Sequence, residues 1–362
     1  MLIADAQCVI PTDDLQADIP FFTKTLKMRM DTIYPADDPK VAVFSGHGIA
    51  ICIDKDAPGS PANINLLVDA PKKFASGKTE LTAPNGTQFK VLQKNPPLIL
   101  PETQHELVVR RLVDQAPWII GRAGMHYRDL IPNRLGGSII ASHIRIPDGG
   151  PVPDTVHYHT VGFQLIFCYK GWVDLVYEDQ GEPFRLFAGN CVIQPPEIRH
   201  KVLYASDNIE VIEIGVPAEH VTTIDHDMEL PTKKINPKRE FKGQKFVHNK
   251  AGDSTWSDFR IPGFTCRDTA IAWNTKNVAG VQVVRPNGDT IKSSKHDCDI
   301  LFNFVMEGQM TLTASGQPLN KLNSGDAFVI PPDLFTEYSN VSEDLELLEV
   351  SLPGKFKTYY DT

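Results

Sequence analysis

Two histidines one residue apart, His157 and His159, are followed by Gln164 and, well downstream of a Pro195-Pro196 turn, by His200. Side chains at i and i+2 of a strand leave the same face, so the first two imidazoles are presented together. A β-barrel can bring the distant third beside them. Three neutral imidazoles converging inside a barrel make a transition-metal site with open positions, the arrangement of an enzyme rather than of a scaffold. Fe(II), Mn(II), Ni(II), Cu(II) and Zn(II) all accept such donors, so the spacing predicts one divalent transition metal without choosing it.

The rest of the chain must supply that barrel. Its 362 residues exceed one ordinary core, so two or three domains are expected. A formal charge of -9 and the lack of a basic cluster interleaved with aromatics argue against nucleic acid as a partner. No apolar run is long enough to span a membrane. The start, Met1-Leu-Ile-Ala-Asp5, has neither a basic region nor a long apolar stretch, so no signal peptide is expected and the reading is cytoplasmic. The six cysteines are dispersed without a C-x-x-C pair, which fits thiols in a reducing compartment. Helical periodicity is scarce. It predicts a helix over Leu15–Leu26, with Asp14 as N-cap, and a second over Glu102–Gln115. Elsewhere short strands lie between turns, including Ser138–Ile146, Phe163–Tyr169, Val173–Tyr177, Cys191–Gln194 and Ile209–Ile214, the pattern of an all-β sandwich or barrel.

The later part of the chain repeats itself. Gly124-Met-His-Tyr-Arg128-Asp129 matches Gly263-Phe-Thr-Cys-Arg267-Asp268, and Pro147-Asp148-Gly149 matches Pro286-Asn287-Gly288. His159 answers His296, Gly171 answers Gly308, Gly189 answers Gly325, and Pro195-Pro196 answers Pro331-Pro332. A repeat this long is one domain duplicated, placed roughly at 121–232 and 240–356 after a linker or helix at 96–120.

With these residues in register, the repeats resemble cupin domains and the pair resembles a bicupin. His157, His159, Gly171, Gly189, Pro195 and His200 fit the two cupin motifs, Gly150 lies one residue off, and Gln164, Glu197 and Tyr204 depart from them. The resemblance implies a mainly β fold of two jelly-roll barrels in tandem, with a metal in the mouth of the first. It also makes Gln164 stand where the family has a glutamate. A neutral amide leaves the site close to two positive charges, which favours an anionic, bidentate oxygen ligand such as a catecholate, enolate, α-hydroxy acid or α-keto acid. Gln164 would ligate weakly through its oxygen or hold a water or substrate. In the second repeat Ser294, Leu301 and Thr336 take three of the four ligand places and only His296 remains, so that barrel is expected to be structural.

Residues 1–95 are similar to one βαβββ module of the vicinal oxygen chelate (glyoxalase-like) family, on Asp14 to Phe22, Leu26 to Met30 and Leu81 to Thr87. Gln7 and Lys90 fall where that family places ligands, so the module is read as metal-free, single, and used for packing, dimerisation or covering a barrel mouth.

Two further residues are catalytic candidates. Arg145 shares a strand face with His143 and would pair with a substrate carboxylate if that face turns inward. Glu213, a carboxylate in the apolar run Val211-Ile-Glu-Ile-Gly215, would serve as acid/base or support a ligand histidine. Arg128-Asp129 and Arg267-Asp268 recur in both copies, which argues for a structural role. The favoured function is a dioxygenase using Fe(II), with O2 and a small oxygenated, aromatic or enolisable substrate side by side on the ion. The alternatives are a non-redox isomerase, lyase or decarboxylase of a sugar acid or keto acid, and a non-catalytic small-molecule-binding bicupin. A homodimer is expected, because barrel edges need covering.

Overall fold

Short β-branched and aromatic runs, punctuated by Gly and Pro, give a chain that is mostly strand. The computed structural model describes residues 3–114, 118–121, 124–288 and 293–361. The chain divides into two compact units, Met1–Pro97 and Leu98–Thr362.

The first unit opens with a βαβββ module. Strand Cys8–Pro11 leads to helix Leu15–Pro20, which a π-helical turn, Phe21–Thr25, prolongs beyond Pro20. The Asp14 side chain caps the helix by accepting from the N–H groups of Gln16 and Ala17 at 3.1 and 3.2 Å. Strands Arg29–Tyr34, Val41–Gly46 and Ile49–Asp54 follow, and the last lies parallel to Cys8–Pro11. The four-stranded sheet of this module ends at Asp54. Lys90 belongs to a separate three-stranded sheet, where Gln88–Gln93 pairs in parallel with Asn63–Val68. Both sheets share one core around Phe22, Phe44, Ile53 and Phe89.

The second unit holds two jelly-roll barrels in tandem, each a large sheet facing a small one. In the first barrel the large sheet includes Phe163–Lys170, Ile209–Val216 and Ile140–Ile146, and the small sheet includes Trp172–Tyr177, His200–Ala205, His157–Thr160 and Val221–Ile224. Alternation divides the labour within a strand. On Phe163–Lys170 the odd positions Phe163, Leu165 and Phe167 pack against Phe302, Phe304 and Val350 of the second barrel, in a core that spans both. The even positions turn into the first barrel.

Each large sheet ends on a strand from the segment that leads into the other barrel. Val247–Asn249 pairs with Cys191–Ile193 of the first barrel, and Val108–Arg110 pairs with Ala327–Ile330 of the second. The helix expected at Glu102–Gln115 is therefore not formed over its described residues, and Gln115 lies outside them. The apolar residues there follow i, i+1, i+5, which is no helical face, and β-branched Val108 and Val109 are used as strand. The repeated arginines complete the exchange. Arg128 donates to the carbonyl of Gly325 at 2.8 Å, while Arg267 donates to the carbonyl of Gly189 at 2.8 Å and to Asn249 Oδ1 at 2.8 Å. Gly189 and Gly325 are equivalent positions of the repeat, so each barrel holds the other through the same bond.

Candidate metal centre

The small sheet of the first barrel brings the three histidines together by register. His157 is the direct cross-strand partner of His200, and His159 follows on the same face of its strand. Ring centroids lie 4.3 Å apart for His157 and His200, and 5.2 Å from His159 to each of them. The three offer ligand atoms within 4.8 Å of one another. All are buried. Each ring is held from behind at Nδ1: His157 on the Thr155 carbonyl at 2.7 Å, His200 on the Ile198 carbonyl at 3.0 Å, and His159 on the Thr222 hydroxyl at 2.9 Å. A carbonyl accepts only, so Nδ1 carries the proton in His157 and His200, and Nε2 is the nitrogen these rings offer to an ion.

Gln164 and Glu213 come from the facing large sheet, on the inward positions of neighbouring strands. Gln164 Nε2 donates to Glu213 Oε1 at 2.6 Å. That bond orients the amide, whose buried Oε1 has no hydrogen-bond partner among the described residues. Three convergent imidazoles are a donor set that fits a divalent transition metal, and the facing sheet adds a buried amide oxygen left over at Gln164. Glu213 lines the same cavity as the histidines, but stands outside the group of converging ligand atoms.

The cavity measures about 90 Å³. Its walls are largely aliphatic, with Ile144, Ile166, Leu175 and Val211 prominent, and Tyr127, Tyr177 and Gln194 join the histidines and Glu213 on the polar side. Tyr177 stacks on His200 at 5.5 Å and accepts from Gln194 Nε2 at 2.8 Å; burial pushes its phenol pKa well up, keeping it neutral. His220 lies 5.5 Å from His159, edge to face, with Nδ1 on the Pro217 carbonyl at 2.9 Å. The sequence reading missed Tyr177, Gln194 and His220. Tyr177 could have been found from strand parity, since Val173, Leu175 and Tyr177 share the cavity face.

Arg145 requires a correction. Ile144 and Ile146 line the cavity, so the odd positions of that strand point away. Arg145 Nη2 instead donates to Asn208 Oδ1 at 2.5 Å. His143, on the same outward face, donates Nε2–H to Glu210 at 2.7 Å and faces Arg128 Nη1 at 3.3 Å. Burial holds the His143 pKa below the usual range, which favours the neutral ring.

The second barrel repeats the frame with other side chains. Ser294 pairs with Thr336 across strands, as His157 pairs with His200. His296 accepts from the Cys298 N–H at 3.1 Å through Nδ1, and burial followed by the Arg260 charge pushes its pKa down to about 4. Glu349, the counterpart of Glu213, is buried and accepts from Nε and Nη2 of Arg260. Where the first barrel presents donors to an ion, the second encloses a fixed cation.

The tandem barrels define the cupin fold, and solved structures with that architecture are similar to this chain. Oxalate decarboxylase from Bacillus subtilis, determined at pH 4.6, superposes with a TM-score of 0.53 at 12% identity, over 72% of this chain and 80% of that one. The formate complex of Lactobacillus farciminis oxalate decarboxylase gives 0.53 at 13% identity, over 72% and 91%. No family model and no curated protein matches the chain. Identity at this level carries the fold alone. Among the described residues, no helix is long and apolar enough to cross a membrane.

Proposed function

We propose that the first barrel is the active site of a metal-dependent enzyme, a decarboxylase or related lyase acting on a chelating keto or hydroxy acid. The carrying observation is the Glu213 carboxylate, which shares the cavity with three convergent histidines and is oriented by Gln164. A divalent ion on His157, His159 and His200, with Gln164 Oε1 adjacent, would act as a Lewis acid toward the chelated oxygens. Loss of CO2 from such an acid leaves an electron pair on carbon that must take a proton. Glu213 is the carboxyl group in the cavity that can relay it, entering as a carboxylate, taking the proton from water as CO2 leaves and passing it to carbon.

That proton carrier favours the non-redox alternative over the Fe(II) dioxygenase expected from the sequence, and the oxalate decarboxylases of similar fold support the same choice. A Lewis-acid role asks no redox change of the ion, so Mn(II) or Zn(II) would serve as well as Fe(II). Glu213→Gln tests the assignment. The variant keeps the shape of the side chain and should retain the metal while losing 10²–10⁴-fold in kcat, the range typical of a general acid or base. Equal turnover of the variant and the unmodified protein would remove Glu213 from the reaction.

A further inference from the structure

We infer that the first barrel, on the reading of a metal-dependent enzyme given above, takes a monoanionic chelating acid with an apolar body and discriminates against small dicarboxylates such as oxalate. The charges in the cavity carry this. A divalent ion on three neutral imidazoles contributes two positive charges, and Glu213 contributes one negative charge from the wall. A monoanion balances the sum; a dianion leaves an excess negative charge in a small, largely aliphatic space. Among the described residues no arginine or lysine lines the cavity.

The guanidinium groups on nearby strands are committed elsewhere. Arg128 is held by Gly325, Arg145 by Asn208, and Arg199 by Asp225 at 3.0 Å. A second carboxylate would thus meet Ile144, Ile166 or Val211 without a counter-charge and with Glu213 in the same cavity. The same walls reward carbon, because every buried methylene tightens binding about fourfold.

The test is a visible-absorption titration of the full chain loaded with Co(II), which reads ligand entry independently of turnover. Pyruvate, 2-oxobutanoate and 2-oxopentanoate are compared with oxalate and 2-oxoglutarate, and each affinity is divided by that of the same acid for aqueous Co(II). This ratio should rise about fourfold per methylene along the alkyl series. It should be at least about tenfold lower for oxalate than for 2-oxopentanoate, as expected for an unpaired charge in an apolar wall. Glu213→Gln should narrow that gap by removing one repelling charge. A flat alkyl series, or a ratio for oxalate or 2-oxoglutarate equal to that of 2-oxopentanoate, overturns the inference. Should the ranking hold while no acid is decarboxylated, the substrate class stands and the reaction assignment falls. Decarboxylation of oxalate with the ranking reversed has the opposite meaning.

Discussion

Gln164 is the residue on which the site turns. A glutamate there would place two carboxylates at the 2.6 Å contact now made by the Gln164 amide and Glu213, and in a buried pocket the two would have to share a proton. Gln164→Glu should therefore lower the Tm of metal-free protein by several degrees while a bound divalent ion restores most of the loss. Calorimetry with and without chelator checks this; an equal Tm shift in both states would mean that the pair does not face the ion. The sequence made the three histidines legible because i and i+2 spacing fixes a face. It did not fix which face of the neighbouring strand turns inward. Arg145 was misassigned for that reason, since Ile144 and Ile146, not their odd-numbered neighbours, meet the cavity. Gln194 and His220 reach the site through tertiary register, whereas Tyr177 was within reach of strand parity along Val173, Leu175 and Tyr177.

At the level of elements, the barrels are bound by exchange. The strand Val108–Arg110 precedes the first barrel and completes the sheet of the second, while Val247–Asn249 does the converse. A one-dimensional reading places residues 96–120 in a linker because it has no means of seeing such a crossing. It did find the matched Arg-Asp pairs, whose purpose appears only in three dimensions. Arg128 is 3% exposed and bonds to Gly325 across the interface. Arg128→Ala would leave that carbonyl and His143 Nδ1 without their donor, for an expected cost of about 2–4 kcal/mol in urea unfolding. Arg267→Ala should cost a similar amount through Gly189, whereas breaking the solvent-screened Arg185 pair with Asp174 should change stability far less. A change within ~0.5 kcal/mol of the unmodified protein for both interface arginines would show that the reciprocal bonds hold nothing together.

On the scale of the whole molecule, duplication explains the division of chemistry. Both barrels keep the frame, including the equivalent carboxylates Glu213 and Glu349 and the equivalent histidines His159 and His296. One barrel offers its interior to an ion and the other fills it with Arg260. The repeat and the loss of ligands at Ser294, Leu301 and Thr336 were readable in sequence, since motif spacing survives when side chains change. Arg260 was not, because it lies outside the motif and reaches Glu349 by tertiary packing. In the first unit, the order of elements that suggested a βαβββ module gave no sign of the second sheet, because Gln88–Gln93 could equally extend the first or, as it does, pair with Asn63–Val68. On the proposed function, the first barrel uses a metal for proton-linked bond cleavage and not for oxygen chemistry. The most direct test is turnover of metal-loaded protein on 2-oxo acids under argon, followed by CO2 release and, in air, by an oxygen electrode. CO2 release at the same rate under argon and in air, with no O2 consumed and with loss of activity in His200→Ala, is the predicted result. Turnover that stops under argon and consumes O2 in step with product would contradict it.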